Sequence, residues 1–177
     1  MLTRYSVRSL HAKVLLCLTI AVTTGCDSAQ KKIQSNEHAD RILVVKSEHT
    51  LSLFANGKVL KTYKVALGRG SGGPKQHEGD HETPEGFYMI DSRNTHSRFH
   101  RALHISYPNA DDRSRALAAG VTPGGQIMIH GIQNGLGWLG SLQRTMDWTD
   151  GCIAVTDSEI EEIWDMVPIG TPVEIRH

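Results

Sequence analysis

One cysteine and one histidine, each at an end of a short apolar run, are the residues of this sequence best suited to covalent chemistry. His130 ends a run that begins at Gln126, and Cys152 opens a run that ends at Val155. Such runs are typical of buried strands. Strands that lie side by side would bring thiol and imidazole together, as a cysteine nucleophile and its base require. The alternatives are a buried structural cysteine and a satisfied core histidine.

Several separated motifs resemble the catalytic domain of the L,D-transpeptidase (YkuD) family. The resemblance covers roughly residues 41–175, and it implies a mainly β, YkuD-like domain, a β-sandwich or barrel-like sheet with one or two short helices. The motifs follow one another in the family's order: Gly73-Pro74-Lys75, Gly79-Asp80, Thr83-Pro84-Glu85-Gly86-Phe87-Tyr88, Ser106-Tyr107-Pro108, His130-Gly131, Thr149-Asp150-Gly151-Cys152-Ile153 and Val167-Pro168-Ile169-Gly170-Thr171-Pro172-Val173.

The resemblance also implies roles for residues. Cys152 is the expected nucleophile and His130 the base, with the backbone carbonyl of Gly131 orienting the imidazole. Gly151 brings backbone close to the site, where amides around Cys152 would form an oxyanion hole. The implied substrates are peptidoglycan stem peptides, no cofactor is expected, and carbapenem-type β-lactams acylate the cysteine of this family.

Four further residues are predicted to contact substrate: His104, Trp148, Thr149 and Asp150. Asp150 stands where the family usually has histidine, and Ala154 stands where it often has arginine or asparagine. A carboxylate that faced Cys152 would disfavour the thiolate. We therefore expect Asp150 to point outward or to pair with a cation such as Arg144.

The predicted reaction is transfer of a stem peptide from a Cys152 thioester to an amine, which gives a 3-3 crosslink or an attached protein. Two alternatives are a hydrolase of the same family, acting as an L,D-carboxypeptidase or amidase, and a non-catalytic envelope-binding lipoprotein. A metal-dependent peptidase would need the histidines spaced by four to converge. The surrounding strand and loop patterns do not favour this, and no metal is predicted; those histidines are His77, His81, His96, His100 and His104.

The amino terminus has the plan of a secretory signal. Residues 1–13 are basic, residues 14–22 are apolar, and the segment ends Gly25-Cys26. This ending resembles a lipoprotein lipobox, so Cys26 is the lipidation candidate and residues 1–26 the signal peptide. We expect a polar tether over 27–40, a catalytic domain over 41–177, and a lipoprotein anchored in the cell envelope on its periplasmic side. Simple secretion and an uncleaved anchor are the alternatives.

Charge and cysteine content narrow the function further. The formal net charge of the whole chain is zero, and the leader holds three basic residues and no acid. The remainder therefore carries about −3, which gives no basic surface for nucleic acid. Cys152 alone remains beyond the leader, so an internal disulfide is excluded there, and the lone thiol is a candidate nucleophile or else a partner in an intermolecular bond.

Local patterns predict the elements that position these residues. Asn56-Gly57 predicts a type I′ hairpin, because both turn positions take positive φ. A glycine-rich segment over 68–82 is predicted to be a functional or mobile loop. Thr156 and Glu159 form a capping box before an apolar helix face. The other predicted elements are strands over 41–46, 50–54, 58–67, 86–91, 103–107 and 171–176 and a helix over 109–119.

Overall fold

The computed structural model describes residues 37–177, and these residues fold around an eight-stranded mixed sheet. The strands lie in the order β3-β2-β1-β8-β4-β5-β6-β7. The mainly β fold with few short helices is therefore confirmed. The strands are β1 (Arg41–Val45), β2 (Thr50–Ala55), β3 (Lys58–Lys64), β4 (Gly86–Ser97), β5 (His100–Ile105), β6 (Met128–His130), β7 (Ile153–Ala154) and β8 (Pro172–Arg176).

The two edges of this sheet meet. Ala66, two residues beyond β3, pairs antiparallel with Ala154 of β7, and each donates its amide N–H to the other's carbonyl, at 2.9 and 2.8 Å. Gly68 pairs in parallel with Thr149. These bridges satisfy backbone groups that an open edge would leave unpaired. They also give the sheet its barrel-like closure beside the residues that precede Cys152.

The opening hairpin and both helices form as the local sequence predicts. Asn56 and Gly57 both have positive φ, at 51° and 75°. Asn109 caps α1 (Ala110–Ala118), and the capping box of Thr156 and Glu159 starts α2 (Asp157–Met166). A short 3-10 helix, Gly137–Arg144, lies in the glycine- and tryptophan-rich passage and was not predicted.

The predicted end of β4 is wrong. Strand β4 runs to Ser97 rather than Asp91, and β5 begins at His100, so the two form one long hairpin. Their register shifts between Ile90 and Ser92, which makes Asp91 an extra residue, a β-bulge. Polar residues along β4 hid this extension, because its outer face is exposed.

A single core fills the domain, built from the inward residues of the strands and the apolar face of α2. Ile42, Leu53, Ile129 and Ile153 are completely buried there, and Ile160 of α2 packs among them. Alternation along each strand then turns the intervening residues to the outer face. That alternation decides which reactive side chains face away from the core.

The folded domain takes in two residues that composition assigned to the tether. The amide of Ala39 donates to the carbonyl of Met166 at 2.8 Å, and Asp40 accepts from the amide of Asn56 at 2.6 Å. The rest of the predicted tether up to residue 36, the signal segment and Cys26 lie outside the described residues. Within residues 37–177, no helix has the length and apolar character needed to cross a bilayer.

Candidate active site

Strand register places Cys152 and His130 on one face of the sheet. Strands β6 and β7 run parallel, with Ile129 opposite Ile153 and His130 opposite Ala154. Ile129 and Ile153 point into the core, so their neighbours Cys152 and His130 point to the other side. Cys152 precedes Ile153, which makes it a diagonal neighbour of His130 across the strand pair. Such neighbours are within reach of long and aromatic side chains.

The imidazole of His130 is held in one orientation. Its Nδ1 lies 2.6 Å from the carbonyl oxygen of Gly131, which can only accept, so Nδ1 carries the hydrogen. Nε2 of the neutral ring is then left with a free lone pair. A side chain at Gly131 would lie 2.7 Å from Oδ1 of Asp157, so this position needs glycine.

Two aromatic rings enclose His130. The Phe99 ring lies 4.5 Å from the imidazole and that of Trp148 lies 5.8 Å away, measured between ring centroids. Trp148 is itself fixed, since its Nε1 donates to Gln143 Oε1 at 2.8 Å. Only 2% of His130 is exposed. This burial lowers its pKa to about 4, although the hydrogen bond to Gly131 acts in the opposite direction.

The Cys152 thiol donates to the carbonyl oxygen of Gln126 at 3.5 Å. Gln126 has a φ of 61°, a left-handed conformation that costs free energy in a residue other than glycine. Burial raises the pKa of the Cys152 thiol. The amide of Met128 and the charge of Lys75 act to lower it, and Asp150 acts to raise it. The resting pair is therefore a thiol beside a neutral imidazole.

The turn before Cys152 is locked by Thr149. Its hydroxyl donates to the carbonyl of Cys152 at 2.7 Å and accepts from the amide of Gly151 at 3.2 Å. Thr149 is only 4% exposed. Its prediction as a substrate contact is therefore corrected, because the hydroxyl is buried and already bonded. The amide of Gly151 is likewise engaged, which leaves the amide of Cys152 itself as the better candidate donor for an oxyanion.

Gly151 brings two chain segments into close contact. Its φ is 118°, and a Cβ there would lie 2.6 Å from the carbonyl oxygen of Glu82. The glycine-rich segment before β4 thus packs directly on the turn that carries Cys152. A larger residue at this position would push that turn away from the segment.

Asp150 points outward and is paired, as expected, but with other partners. Its Oδ1 lies 2.9 Å from Arg69 and 2.8 Å from Nδ1 of His81. Arg144 instead pairs with Glu159 at 3.2 Å, so the predicted partner is wrong. Both partners of Asp150 come from the segment before β4, a tertiary contact that sequence spacing does not reveal.

That segment is organised around buried charges. Lys75 is 5% exposed, and its Nζ donates to Asp80 at 2.7 Å and to the carbonyl of His77 at 3.0 Å. Burial would raise the pKa of Asp80, but the hydrogen bonds from Lys75 and from three backbone amides hold it well below its usual range. The Gly-Pro-Lys and Gly-Asp motifs are the sequence signal for this pair. Lys75 is therefore a buried structural charge rather than a solvated loop charge.

His104 lies in an open cleft beside the thiol. The cleft has a volume of about 510 Å³ on the outer face of β4, β5 and β6. His104 donates from Nδ1 to Asp91 at 2.6 Å. Gln126 and Met128 belong both to this cleft and to the surroundings of Cys152. The lining consists of Asp91, Ser92, Asn94, Ala102, His104, Gln126 and Met128.

The histidines spaced by four do not converge. His100 pairs with Glu161 at 2.5 Å, His104 with Asp91, and His81 with Asp150. Among residues 37–177, no group of three or more histidine, cysteine or acidic side chains is close enough to hold a metal ion.

Comparison with known proteins decides the family. The profile of the L,D-transpeptidase catalytic domain family, YkuD, matches residues 39–175, nearly all of the described part of the chain. The chain belongs to this family. The match begins at Ala39, where the structure also places the start of the folded domain.

Individual relatives agree with this L,D-transpeptidase assignment. A putative L,D-transpeptidase, YafK of Escherichia coli K12, is 29% identical over 164 residues, which is 85% of this chain and 58% of YafK. The crystal structure of Pgp2, a helical cell shape determining protein of Campylobacter jejuni, superposes with a TM-score of 0.60 at 25% identity, over 80% of this chain and 49% of Pgp2. Bd1075 of Bdellovibrio bacteriovorus superposes with a TM-score of 0.55 at 25% identity, over 81% of this chain and 50% of Bd1075. The chain thus spans about half the length of these relatives.

Proposed function

We propose that this chain is a cysteine acyltransferase that acts on peptidoglycan stem peptides. The observation that carries the proposal is the placement of Cys152 and His130 on one face of adjacent strands, with His130 Nδ1 bonded to Gly131. This leaves Nε2 as the free ring nitrogen, and a base needs a free lone pair to take the thiol proton.

The first half-reaction forms a thioester. Cys152 Sγ attacks the carbonyl carbon of the third stem residue while its proton passes to His130 Nε2. The amide of Cys152 donates to the oxygen that becomes negative. The C–N bond then breaks, His130 returns the proton to the departing D-alanine amine, and the acyl group stays on sulfur.

The second half-reaction passes the acyl group to an acceptor. An amine attacks the thioester carbonyl, the C–S bond breaks, and the thiol is regenerated as the amine proton is returned through His130. The product with a second stem peptide is a 3-3 crosslink, and the product with a protein amine is an attached protein. The scheme requires no cofactor.

The neutral resting state fits this sequence of steps. Burial disfavours both the thiolate and the imidazolium, so a separated ion pair would be costly before substrate arrives. Proton transfer and attack are then expected to occur together. The charge of Lys75 and the amide of Met128 favour the developing thiolate.

Product analysis tests the proposal. Incubation with disaccharide-tetrapeptide should release D-alanine and give a crosslinked dimer by mass spectrometry. The Cys152→Ala variant should release none, and His130→Gln should lose most of the rate, since positioned bases contribute roughly 100- to 10,000-fold. Intact Cys152 protein that releases no D-alanine and forms no thioester with a carbapenem would contradict the proposal and leave a non-catalytic binding protein.

Hydrolysis is the second candidate, and one observation favours it. Ala154, where the family often carries a substrate-contacting residue, is completely buried and bonded to Ala66. Alanine at this position offers no polar group to hold an acceptor. Release of D-alanine with tripeptide as the sole product would identify water as the acceptor.

A further inference from the structure

The turn that joins β4 to β5 lies directly against His130. It consists of Arg98 and Phe99 alone, because β4 ends just before them and β5 begins just after them. We infer that Asn134 is a positioning residue that holds this turn in place, so that the Phe99 ring keeps water away from His130. The role of His130 as a base rests on the proposed function, whereas the shielding of its ring does not.

Asn134 makes three hydrogen bonds to the turn and its flanking residues. Its Oδ1 accepts from the amide of His100 at 2.9 Å, and its Nδ2 donates to the carbonyl of Ser97 at 3.1 Å. Its own amide donates to the carbonyl of Arg98 at 2.9 Å. One side chain therefore bridges the last residue of β4 and the first residue of β5. This bridge uses both the donor and the acceptor that a primary amide offers.

The backbone after the turn has a conformation that needs such support. His100 has a φ of 63°, a left-handed conformation that glycine usually takes after a hairpin turn. Another residue keeps it only where the surrounding contacts over-determine it. The bond from the His100 amide to Asn134 is one of these contacts, and the pairing of the His100 ring with Glu161 of α2 is another. Loss of the Asn134 side chain should therefore let the turn relax away from the sheet.

Phe99 is the side chain that the turn brings to His130. The two ring centroids lie 4.5 Å apart with 33° between the ring planes, so Phe99 covers a face of the imidazole rather than its edge. The amide of Gly131 supports this approach by donating to the carbonyl of Phe99 at 3.1 Å. Burial is what lowers the pKa of His130 to about 4, and the Phe99 ring supplies part of that burial.

The charged side chains on the elements around His130 already have partners, so burial decides its protonation. The pairs are His104 with Asp91, His100 and Arg101 with Glu161, Arg144 with Glu159, Asp150 with Arg69 and His81, Lys75 with Asp80, and Asp157 with the amide of Ile132. Arg98 lies on the turn itself, 5.9 Å from the Phe99 ring centroid. If the turn opens, this cation moves away together with Phe99. Both the added hydration and the departing cation raise the pKa of His130.

A histidine titration tests the inference in the full chain, purified in detergent. NMR of protein labelled at histidine follows each imidazole, and the resonance missing from His130→Gln identifies His130. Its midpoint in the unmodified protein should be about 4. Asn134→Ala and Phe99→Ala should raise it toward about 6.5, the value of a solvated imidazole. Phe99→Leu keeps an apolar cover and should stay closer to the unmodified protein.

The same shift should appear in catalysis. An imidazole with a pKa near 6.5 is only about one-tenth neutral at pH 5.5. In Asn134→Ala, kcat/KM for disaccharide-tetrapeptide should therefore fall up to roughly tenfold more than in the unmodified protein when the pH drops from 7.5 to 5.5. A merely structural role of Asn134 would lower kcat/KM by the same factor at both pH values.

Gln133→Ala is the matched control, because it removes a side-chain amide one residue away from Asn134. Both residues are exposed, so neither change should unfold the domain, and urea unfolding at pH 7.5 checks this. Gln133→Ala should keep the midpoint and the pH profile. An Asn134→Ala protein that is folded and titrates like the unmodified protein would overturn the inference, and so would a Phe99→Ala protein with an unchanged midpoint. Absence of turnover at every pH in the unmodified protein would overturn the proposed function, while the titration would still decide the shielding.

Discussion

Asp150 is the exposed charge that acts most directly on the Cys152 thiol. Its carboxylate is turned toward Arg69 and His81, yet it still acts to raise the pKa of the thiol. Asp150→Asn removes this negative charge. The thiol should then ionise at lower pH and react faster with iodoacetamide near neutrality.

The expected rate increase is at most about fivefold, since exposed charge pairs contribute roughly 1 kcal/mol or less. It should shrink at high salt, which screens exposed charges. Arg69→Gln is the opposing variant, because it leaves Asp150 less well neutralised and should slow alkylation. An unchanged alkylation profile in both variants would show that Asp150 does not act on the thiol.

His130 makes stability depend on pH. Its pKa is about 6.5 in an unfolded chain and about 4 when buried, so between these values the unfolded state binds more protons. Stability should therefore be complete above pH 6.5, fall as the pH drops toward 4, and change no further from this group below 4. The difference corresponds to roughly 3 kcal/mol.

Urea unfolding at pH 7 and pH 4.5 measures this effect. A His130→Gln variant should lose markedly less stability between the two pH values than the unmodified protein. Equal losses would mean that His130 is not held neutral in the folded state.

At the scale of elements, the start of α2 positions the segment that follows His130. Asp157 Oδ1 accepts from the amide of Ile132 at 2.8 Å, and Thr156 caps the helix by accepting from Glu159. Asp157→Ala should lower activity at least tenfold, because the His130-Gly131 segment loses an anchor. Thr156→Ala should cost about 1 kcal/mol of stability with little change in activity.

Comparison of Asp157→Ala with Thr156→Ala separates the stability of α2 from the positioning of the His130-Gly131 segment. Both act at the same helix end, and kcat/KM together with urea unfolding would be measured for each. Equal activity in the two variants would contradict a positioning role for Asp157.

The sequence predicts an element well when neighbouring residues determine it, and poorly when distant parts of the chain do. The hairpin at Asn56-Gly57 and the cap of α2 depend on neighbouring residues, so both are visible in the sequence. The bulge at Asp91 and the pairing of Asp150 with Arg69 depend on which strand or loop arrives from elsewhere. The same holds for Thr149, whose burial follows from the bridge to Gly68.

The pairing of Cys152 with His130 is intermediate between these cases. The apolar runs predict two strands, but not that they are adjacent and parallel. The resemblance to the family motifs is what predicts that Cys152 and His130 come together. The structure then adds the register, which decides that both side chains share a face.

For the whole molecule, the proposed envelope location rests on the leader, which lies outside the described residues. Cys26 should carry the lipid, so Cys26→Ala should abolish labelling by radioactive palmitate and release the chain from membranes. Cys17→Ala is the matched control and should be labelled normally. Palmitate labelling that survives Cys26→Ala would contradict the lipoprotein prediction.

The joined edges of the sheet, the aromatic rings around His130 and the buried Lys75–Asp80 pair all support one site at Cys152. The central claim is that this thiol becomes acylated by a stem peptide. Rapid quenching after mixing with disaccharide-tetrapeptide, followed by intact-protein mass spectrometry, tests it most directly. The account predicts a mass increase equal to the donor minus D-alanine, mapped to Cys152 and absent in Cys152→Ala. An unmodified protein mass with the tetrapeptide unconsumed would contradict it.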